Sequence, residues 1–534
     1  MSTKDARESV WTDLRTRRVP HDFSAAFAAD PDRARRFTVP VGDLVVDMSK
    51  NPWDDDIRRD LLRLADAADV GGAWRRMRSG EPINLTEDRA VGHTWLRAPR
   101  SESTLVDGVD VVAEANDLLD RMLHFVDEVH AGRVVAADGS RFTDIVNVGI
   151  GGSDLGPRLA YEALRPYRLR GIRAHFISNV DPANAADVLG ALDPRRTLVV
   201  IASKTFTTEE TMANARSIRE WLPADGVTQL CAVTSDADRA VAWGIAPDRC
   251  FAFREWVGGR YSIGSSVGLV LALAIGSGAF REFLAGQRIV DEHVDEHVDS
   301  VSPNANAPLL LASLGIWNAM AGGVTSKAVV PYSYDLRSLP AFLQQLDMES
   351  NGKSVHRDGT PVSGGTAPIV WGAAGTDAQH AFFQLLHQGT REVAVDFIGF
   401  AAGHDEPRSQ HDTLVANLIA QSRALAFGRP ESSTARLPAA AHRRFPGHRP
   451  NTVILAPRLK PSTLGQIIAL YEHVVFFQGW LWDINSFDQY GVELGKEMAT
   501  EARSELDGRP SAASDSSTRL LTEWCRAHRS ASEA

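Results

Sequence analysis

The chain has 534 residues, 44% of them apolar, 7% aromatic and 23% charged, which is enough apolar material for two large cores and unlike a disordered or collagenous chain. Its 57 basic and 68 acidic residues leave a net charge of −11, which supports solubility and argues against a general attraction to nucleic acid or to anionic membranes. Three widely spaced cysteines, Cys231, Cys250 and Cys525, offer neither a disulfide framework nor a CxxC metal knuckle. Charges at Lys4, Asp5, Arg7 and Glu8 stand where a signal peptide needs apolar residues, so a reducing, cytoplasmic setting is expected.

In chain order, residues 1–120 show short amphipathic helical patterns broken by loops such as Ser49-Lys50-Asn51-Pro52, and are expected to form a helical segment packing on the second domain. From about Thr143, β-branched runs at 144–148, 174–178, 197–202, 229–233 and 249–253 alternate with helical patterns, which predicts βαβ units and a parallel sheet. A second series at 328–331, 367–372, 392–397 and 452–455 is separated by long helical patterns, notably 413–427 and 464–480. The expected fold is therefore α/β, with a first domain over 121–285 and a second over 286–507. Two charge-poor runs, 264–280 and 301–326, are interrupted by glycine and serine or by proline and asparagine. Both read as buried core helices and not as membrane spans, with Pro308 in the first turn of the later one. Beyond Asp507 the composition turns to Gly, Pro, Ser and Ala, so the tail 508–534 is expected to be mobile to about 518, with a short helix at 521–526.

Chemistry-bearing residues collect at the ends of the expected strands. The first strand runs into Gly149-Ile150-Gly151-Gly152-Ser153-Asp154, a glycine-dense turn suited to holding an anion at a helix N-terminus. It is not a dinucleotide fingerprint, because Asp154 stands where the third glycine is required. The third strand ends in Ser203-Lys204-Thr205-Phe206-Thr207-Thr208, and ligands in open parallel sheets gather at the carboxyl ends of strands, so both loops should face one crevice as a phosphate clamp. Thr207 or Thr208 as a helix cap would explain one hydroxyl but not the Ser-Lys-Thr set.

Two motifs are decoys. His293 and His297 fit H-x-x-E-H, yet they lie in the acidic run 291–299, which reads as a solvated helical face without a third ligand. Gly352-Lys353-Ser354 ends like a Walker A loop, but Asp347 occupies the place of its first glycine. No metal and no cofactor are expected. Arg260 after a glycine pair, Glu349 among amides, His380 near a helix start and Lys496 after Gly495 complete the inventory for proton transfer on a phosphorylated carbonyl compound.

Together the segments VGIGGSDLGP (148–157), SKTFTTEET (203–211), GGRYS (258–262), QLDMESNGKSV (345–355), GTDAQHAFFQLLHQG (375–389) and YEHVVFFQGWLWDINSFDQYGVELGK (471–496) resemble the phosphoglucose isomerase family, with a weaker match at INLTEDRAV (83–91). The resemblance implies two sugar-isomerase (SIS) type domains, each a parallel sheet flanked by helices. It also implies a metal-independent aldose–ketose isomerase of glucose 6-phosphate and fructose 6-phosphate, and a homodimer with a shared active site. By position it assigns Gly152, Ser153, Asp154, Ser203, Lys204, Thr205 and Thr208, with Gln345 and Gln489, to substrate. Glu349 would move the proton, Arg260 would stabilise the enediolate, and His380 of the second subunit with Lys496 would open and close the ring. Departures from the family pattern are Asp377-Ala378 for Asn-Gly, Asp88 for glycine, Gly264-Ser265-Ser266 for a bulkier stretch and Tyr490 for tryptophan. An isomerase for another hexose phosphate and a non-catalytic sugar-phosphate sensor are the alternatives; a sensor has no need of Glu349, His380, Arg260 and Lys496 together.

Overall fold

The computed structural model describes residues 3–20, 22–299, 305–404, 407–429, 441–509 and 514–529. It divides into two compact units, Met1–Ser486 and Phe487–Ala534. In the first unit three helices, Thr3–Thr16, Phe23–Ala29 and Arg33–Arg36, precede an antiparallel pair, β1 (Thr38–Val41) and β2 (Leu44–Lys50), and a two-residue ladder of β3 (Leu105–Val106) and β4 (Val109–Asp110) follows. Five parallel strands then form one sheet: β5 (Asp144–Val148), β6 (Arg173–Ile177), β7 (Thr197–Ala202), β8 (Leu230–Thr234) and β9 (Cys250–Ala252), in the order β6-β5-β7-β8-β9. Strands β5, β7 and β8 are buried throughout, as expected where helices cover both faces of a parallel sheet.

The second sheet contains β10 (Ser326–Pro331), β11 (Ile369–Gly372), β12 (Ala394–Phe400) and β13 (Asn451–Ala456), all parallel, and has the order β1-β2-β13-β12-β10-β11. Strand β2 pairs antiparallel with β13. The segment 1–120 is thus not only helical: it supplies two strands to the second sheet. Pro40 disguises the first of them, and proline is tolerated there because β1 is an edge strand. The boundary expected at 285 also falls inside a continuous helix, Ser277–His297.

The helix Pro461–Trp482 is buried from end to end. It packs against Ser277–His297 where a Cβ on Gly286 would lie 1.9 Å from the Ser462 carbonyl oxygen and one on Gly465 would lie 2.1 Å from that of Phe283, so only glycine permits this crossing. Beside the crossing, Arg97 grips Asp291 through two bonds of 2.7 Å and Glu472 at 2.8 Å, while His473 Nε2 meets Asp291 at 2.7 Å. Burial pushes Glu472 up to about 7; at Asp291 the guanidinium overcomes burial and holds the carboxylate well below its usual range. The acidic run is consequently not a solvated face throughout, since Asp291 and Val294 are buried. His293 Nε2 accepts the Ala307 N–H at 3.2 Å, and His297 Nδ1 lies 2.8 Å from the His293 carbonyl.

Two further expectations change in detail. The run 264–280 is a short turn, Ser266–Gly268, and a buried helix, Leu269–Ile275, ended by Gly276 at φ 85. The later run yields the buried helix Ala307–Ala321, capped by Asn306 with proline in its first turn. In the second unit, Glu493–Leu506 is followed by a helix Ser516–His528, longer than foreseen, whose Asp515 cap accepts the N–H groups of Ser517 and Thr518. Residues 510–513 of the expected mobile stretch lie outside the described residues. Among the described residues no helix is long and apolar enough to cross a membrane.

Candidate active site

The glycine turn after β5 packs directly on the turn that carries Arg260. A Cβ on Gly152 would lie 2.0 Å from the Gly259 carbonyl oxygen and 2.7 Å from the Arg260 nitrogen, so the glycine is required for the two turns to touch. Gly151, at φ 60, leaves room on its other side for the Gln345 amide, 3.0 Å from where a Cβ would stand. Ser153 is half-buried at the mouth of this loop. The Asp154 carboxylate is buried against Arg158 at 2.8 Å, and burial pushes its pKa up. Its bond to Arg158 ties the residue before the helix Leu155–Ala163 to that helix's first turn.

At the end of β7, Ser203 donates to the Thr208 hydroxyl at 3.2 Å. Thr208 stands at the start of the helix Glu209–Trp221, but its side chain makes no capping bond, so the bland explanation for this hydroxyl does not hold. Phe206, buried at φ 52, reverses the loop and brings the exposed Thr205 and Thr207 hydroxyls to 2.6 Å. Lys204 donates to the carbonyls of Glu255 and Val257 at 3.1 and 3.2 Å, and burial lowers its pKa.

A second group of contacts is built around Arg260, which is 2% exposed. Its Nε donates to the Ser350 hydroxyl at 2.6 Å, its Nη2 donates to the Ser486 carbonyl at 2.6 Å, and its Nη1 stands 3.4 Å from Glu349 Oε2. Glu349 closes a π-helical turn, Gln344–Glu349, a geometry that often marks functional sites because it re-aims the side chains that follow it. The next two residues are fully buried and fix that turn. Ser350 also meets the Tyr261 hydroxyl at 3.1 Å, and Asn351 accepts from Ser486 at 2.7 Å and donates to the Val475 carbonyl at 3.1 Å. Glu349, with a side chain 20% exposed, is thus the open member of a closed set.

Several anchors carry no obvious chemical signal in sequence. Ser350, Ser486 and Asn485 are found only through their contacts. Asn485 Nδ2 donates to Asn84 Oδ1 at 2.9 Å and to the Thr86 hydroxyl at 2.7 Å, which ties the 83–91 motif to the strand of chain that holds Arg260. Asp88 in that motif has φ 49, in the left-handed region where glycine is easier, which accounts for the glycine at this place in the family pattern.

His380 is exposed on the helix Asp377–Ala381, and among the described residues it makes no hydrogen bond to Glu349, Arg260 or Lys204. Its neighbour Gln379 donates to the Tyr332 hydroxyl at 2.7 Å. Lys496 and Gln489 belong to the second unit, Lys496 exposed on Glu493–Leu506 and Gln489 exposed before the turn Tyr490–Val492. The structure therefore brings together Gly152, Arg260, Gln345 and Glu349, and separately Ser203, Lys204, Thr205 and Thr208 at the end of the neighbouring sheet strand.

Comparison with known proteins agrees with this layout. The family model described as phosphoglucose isomerase matches residues 47–522. The chain is 51% identical over 490 residues to glucose-6-phosphate isomerase 3 of Rhodococcus jostii, covering 89% of this chain and 88% of that one. It is 48% identical over 535 residues to glucose-6-phosphate isomerase of Brucella anthropi, covering 96% of each. Its fold matches the crystal structure of a glucose-6-phosphate isomerase from Chlamydia trachomatis with a TM-score of 0.85 and 34% identity, over 97% of this chain and 98% of that one. A match of this extent, with the glycine turn, the Ser-Lys-Thr loop and the Arg260–Glu349 pair all inside it, means that the chain belongs to the phosphoglucose isomerase family.

Proposed function

We propose that Glu349, with Arg260 beside it, performs on this chain the reaction of its family, the interconversion of glucose 6-phosphate and fructose 6-phosphate. The observation that carries this reading is the 3.4 Å approach of a buried, doubly anchored guanidinium to a partly open carboxylate. A proton α to a carbonyl is acidic only when the developing oxyanion is stabilised, and a guanidinium does this without giving up its own proton. Glu349 takes the proton from C2 of the open-chain aldose, Arg260 stabilises the negative charge on O1, and a cis-enediolate results. Return of the proton to C1, with the O2 proton passing to O1, gives the ketose.

The phosphate is held by Ser203, Lys204, Thr205 and Thr208, with Ser153 and the Gly152 turn on the facing loop. Its binding energy, applied far from the reacting carbons, orients them. Gln345 and Gln489 hydrogen-bond the sugar chain. Ring opening uses His380 and Lys496 as acid and base. The exposure of His380 fits a residue that serves the site of a second copy, so we read the enzyme as a homodimer acting in the cytoplasm.

The test is Glu349→Gln, which keeps the shape but cannot accept the C2 proton. Solvent isotope exchange at C2 of glucose 6-phosphate should fall by about 10²–10⁴-fold while ring opening, followed separately, continues. Exchange at the wild-type rate would assign the base to another group.

A further inference from the structure

The Lys204 ammonium already has partners. Besides the two backbone carbonyls, its ammonium faces the Glu255 carboxylate, at 3.4 Å from Oε2. The same oxygen is approached from the other side by Arg89 Nη1 at 3.2 Å, and Arg89 in turn lies 3.5 Å from Glu87 Oε2. Two cations thus share one carboxylate oxygen. Arg89 comes from the turn whose Asn84 and Thr86 are held by Asn485, so its position is set by the same contacts that neighbour the Ser486 anchor of Arg260. Neither Glu255 nor Arg89 has a part in the proton transfer described above.

A phosphate dianion that uses the Lys204 ammonium must first displace the Glu255 carboxylate from it. We propose that Glu255 is a built-in competitor for phosphate at Lys204, and that Arg89, by drawing on the same oxygen, weakens that competition and so tunes the affinity of the clamp. The inference rests on the reading of Lys204 as a phosphate ligand. When phosphate takes the ammonium, Glu255 keeps Arg89 as its partner, so no carboxylate is left alone. The electrostatics of Lys204 run the same way: burial lowers its pKa, Glu255 opposes that, and Arg89 adds to it. Glu255 is 53% and Arg89 43% exposed, so solvent screens the pair and the effect is modest and weakened by salt.

The experiment measures competitive inhibition by inorganic phosphate at low ionic strength for Glu255→Gln, Arg89→Met, the double variant, Arg89→Lys and Lys204→Ala. Glu255→Gln should bind phosphate about two- to five-fold more tightly, the range set by an exposed ion pair. Arg89→Met should bind it more weakly by a similar factor, Arg89→Lys should restore affinity, and the double variant should behave as Glu255→Gln. Lys204→Ala should lose most of the inhibition. If Lys204→Ala weakens binding but Glu255→Gln changes nothing, the competitor role is overturned and the Lys204 reading stands. If Lys204→Ala has no effect, the phosphate clamp itself is misplaced. If Arg89→Met still weakens binding in the Glu255→Gln background, Arg89 acts on phosphate directly, which also overturns the proposal.

Discussion

Replacing Arg260 with lysine separates the two tasks that its guanidinium performs. The side chain holds Ser350 and the Ser486 carbonyl through Nε and Nη2, both at 2.6 Å, and presents Nη1 to Glu349. An ammonium keeps the charge but loses the planar fork, so it cannot satisfy both anchors and still reach the position where charge develops on O1. Ser350 keeps the Tyr261 hydroxyl as a partner, so an ammonium that misses the Ser486 carbonyl leaves one buried acceptor short of a donor, a cost of ~1–3 kcal/mol before relaxation. Loss of the oriented Nη1 resembles removal of one oxyanion donor, ~3–4 kcal/mol in the barrier, or about 10²–10³-fold in kcat. The assay is coupled conversion of fructose 6-phosphate to glucose 6-phosphate, with inorganic phosphate inhibition and thermal unfolding measured on the same preparation. The expected pattern is a kcat lower by about 10²–10³-fold, a lower Tm, and phosphate inhibition within about two-fold of wild type, because the clamp lies on a different loop. A variant that kept kcat within about three-fold while its Tm fell would show that Arg260 only holds the fold, and the oxyanion argument would be refuted.

Two other outcomes follow from the same geometry. Asp347 lies in the π-turn before Glu349, facing Lys327 of β10, Asp396 of β12, Tyr471 and Asn351; burial, aided by Asp396 and opposed by Lys327, pushes it up to about 6 from 3.8. A raised carboxyl pKa stabilises the fold fully below about 4, and that contribution is lost as pH rises through about 6. Asp347→Asn should therefore gain up to about 2–3 kcal/mol over wild type at pH 8 and only about 1 kcal/mol at pH 4.5 in urea unfolding; an equal difference at both pH values would contradict this assignment. For the shared site, inactive Glu349→Gln and His380→Ala variants should recover activity when dissociated and mixed, since one interface then pairs a wild-type Glu349 with a wild-type His380. Verified mixed dimers without recovery would mean that each site is built within one chain.

The sheet strands were legible because each is a short β-branched run followed by a helical pattern, and 197–202 coincides with β7 at both ends. The β1–β2 pair was not, because Pro40 breaks the strand pattern and the pairing with β13 joins residues some 400 positions apart, which no local period records. Charged and hydroxyl-rich motifs revealed Arg260, Glu349 and the 203–208 loop. The glycine motif gave no sign that the Asp154 carboxylate is paired with Arg158, four residues on, because that contact needs the helix to form. Ser350, Asn351 and Ser486 were silent as chemistry because they are small neutral side chains that act by holding others: Ser350 accepts from Arg260, and Asn351 accepts from Ser486 and donates to the Val475 carbonyl. The acidic run 291–299 was misread for a related reason: composition counts charges, but a single buried partner, Arg97, decides which of them leaves solvent.

The residues given roles in the proposed reaction divide by exposure according to those roles. Arg260, Ser350, Asn351 and Ser486 are sealed and multiply bonded, whereas Thr205, His380 and Lys496 are exposed and lightly held. The division follows from what each step needs. A transition-state charge is stabilised best by a donor that does not reorganise, and burial with two anchors removes the freedom of the guanidinium before substrate arrives. Ring opening and phosphate capture require groups that can exchange water, counter-ion and substrate, which a sealed side chain cannot do. Glu349 sits at the border, where the proposed proton transfer needs both. Its turn is locked by Ser350 and Asn351, which fixes the carboxylate against Arg260, and its own oxygens stay open to C2 and then C1. A carboxylate next to a permanently protonated guanidinium also has no competing proton donor there, so the proton it takes from carbon is free to return to carbon.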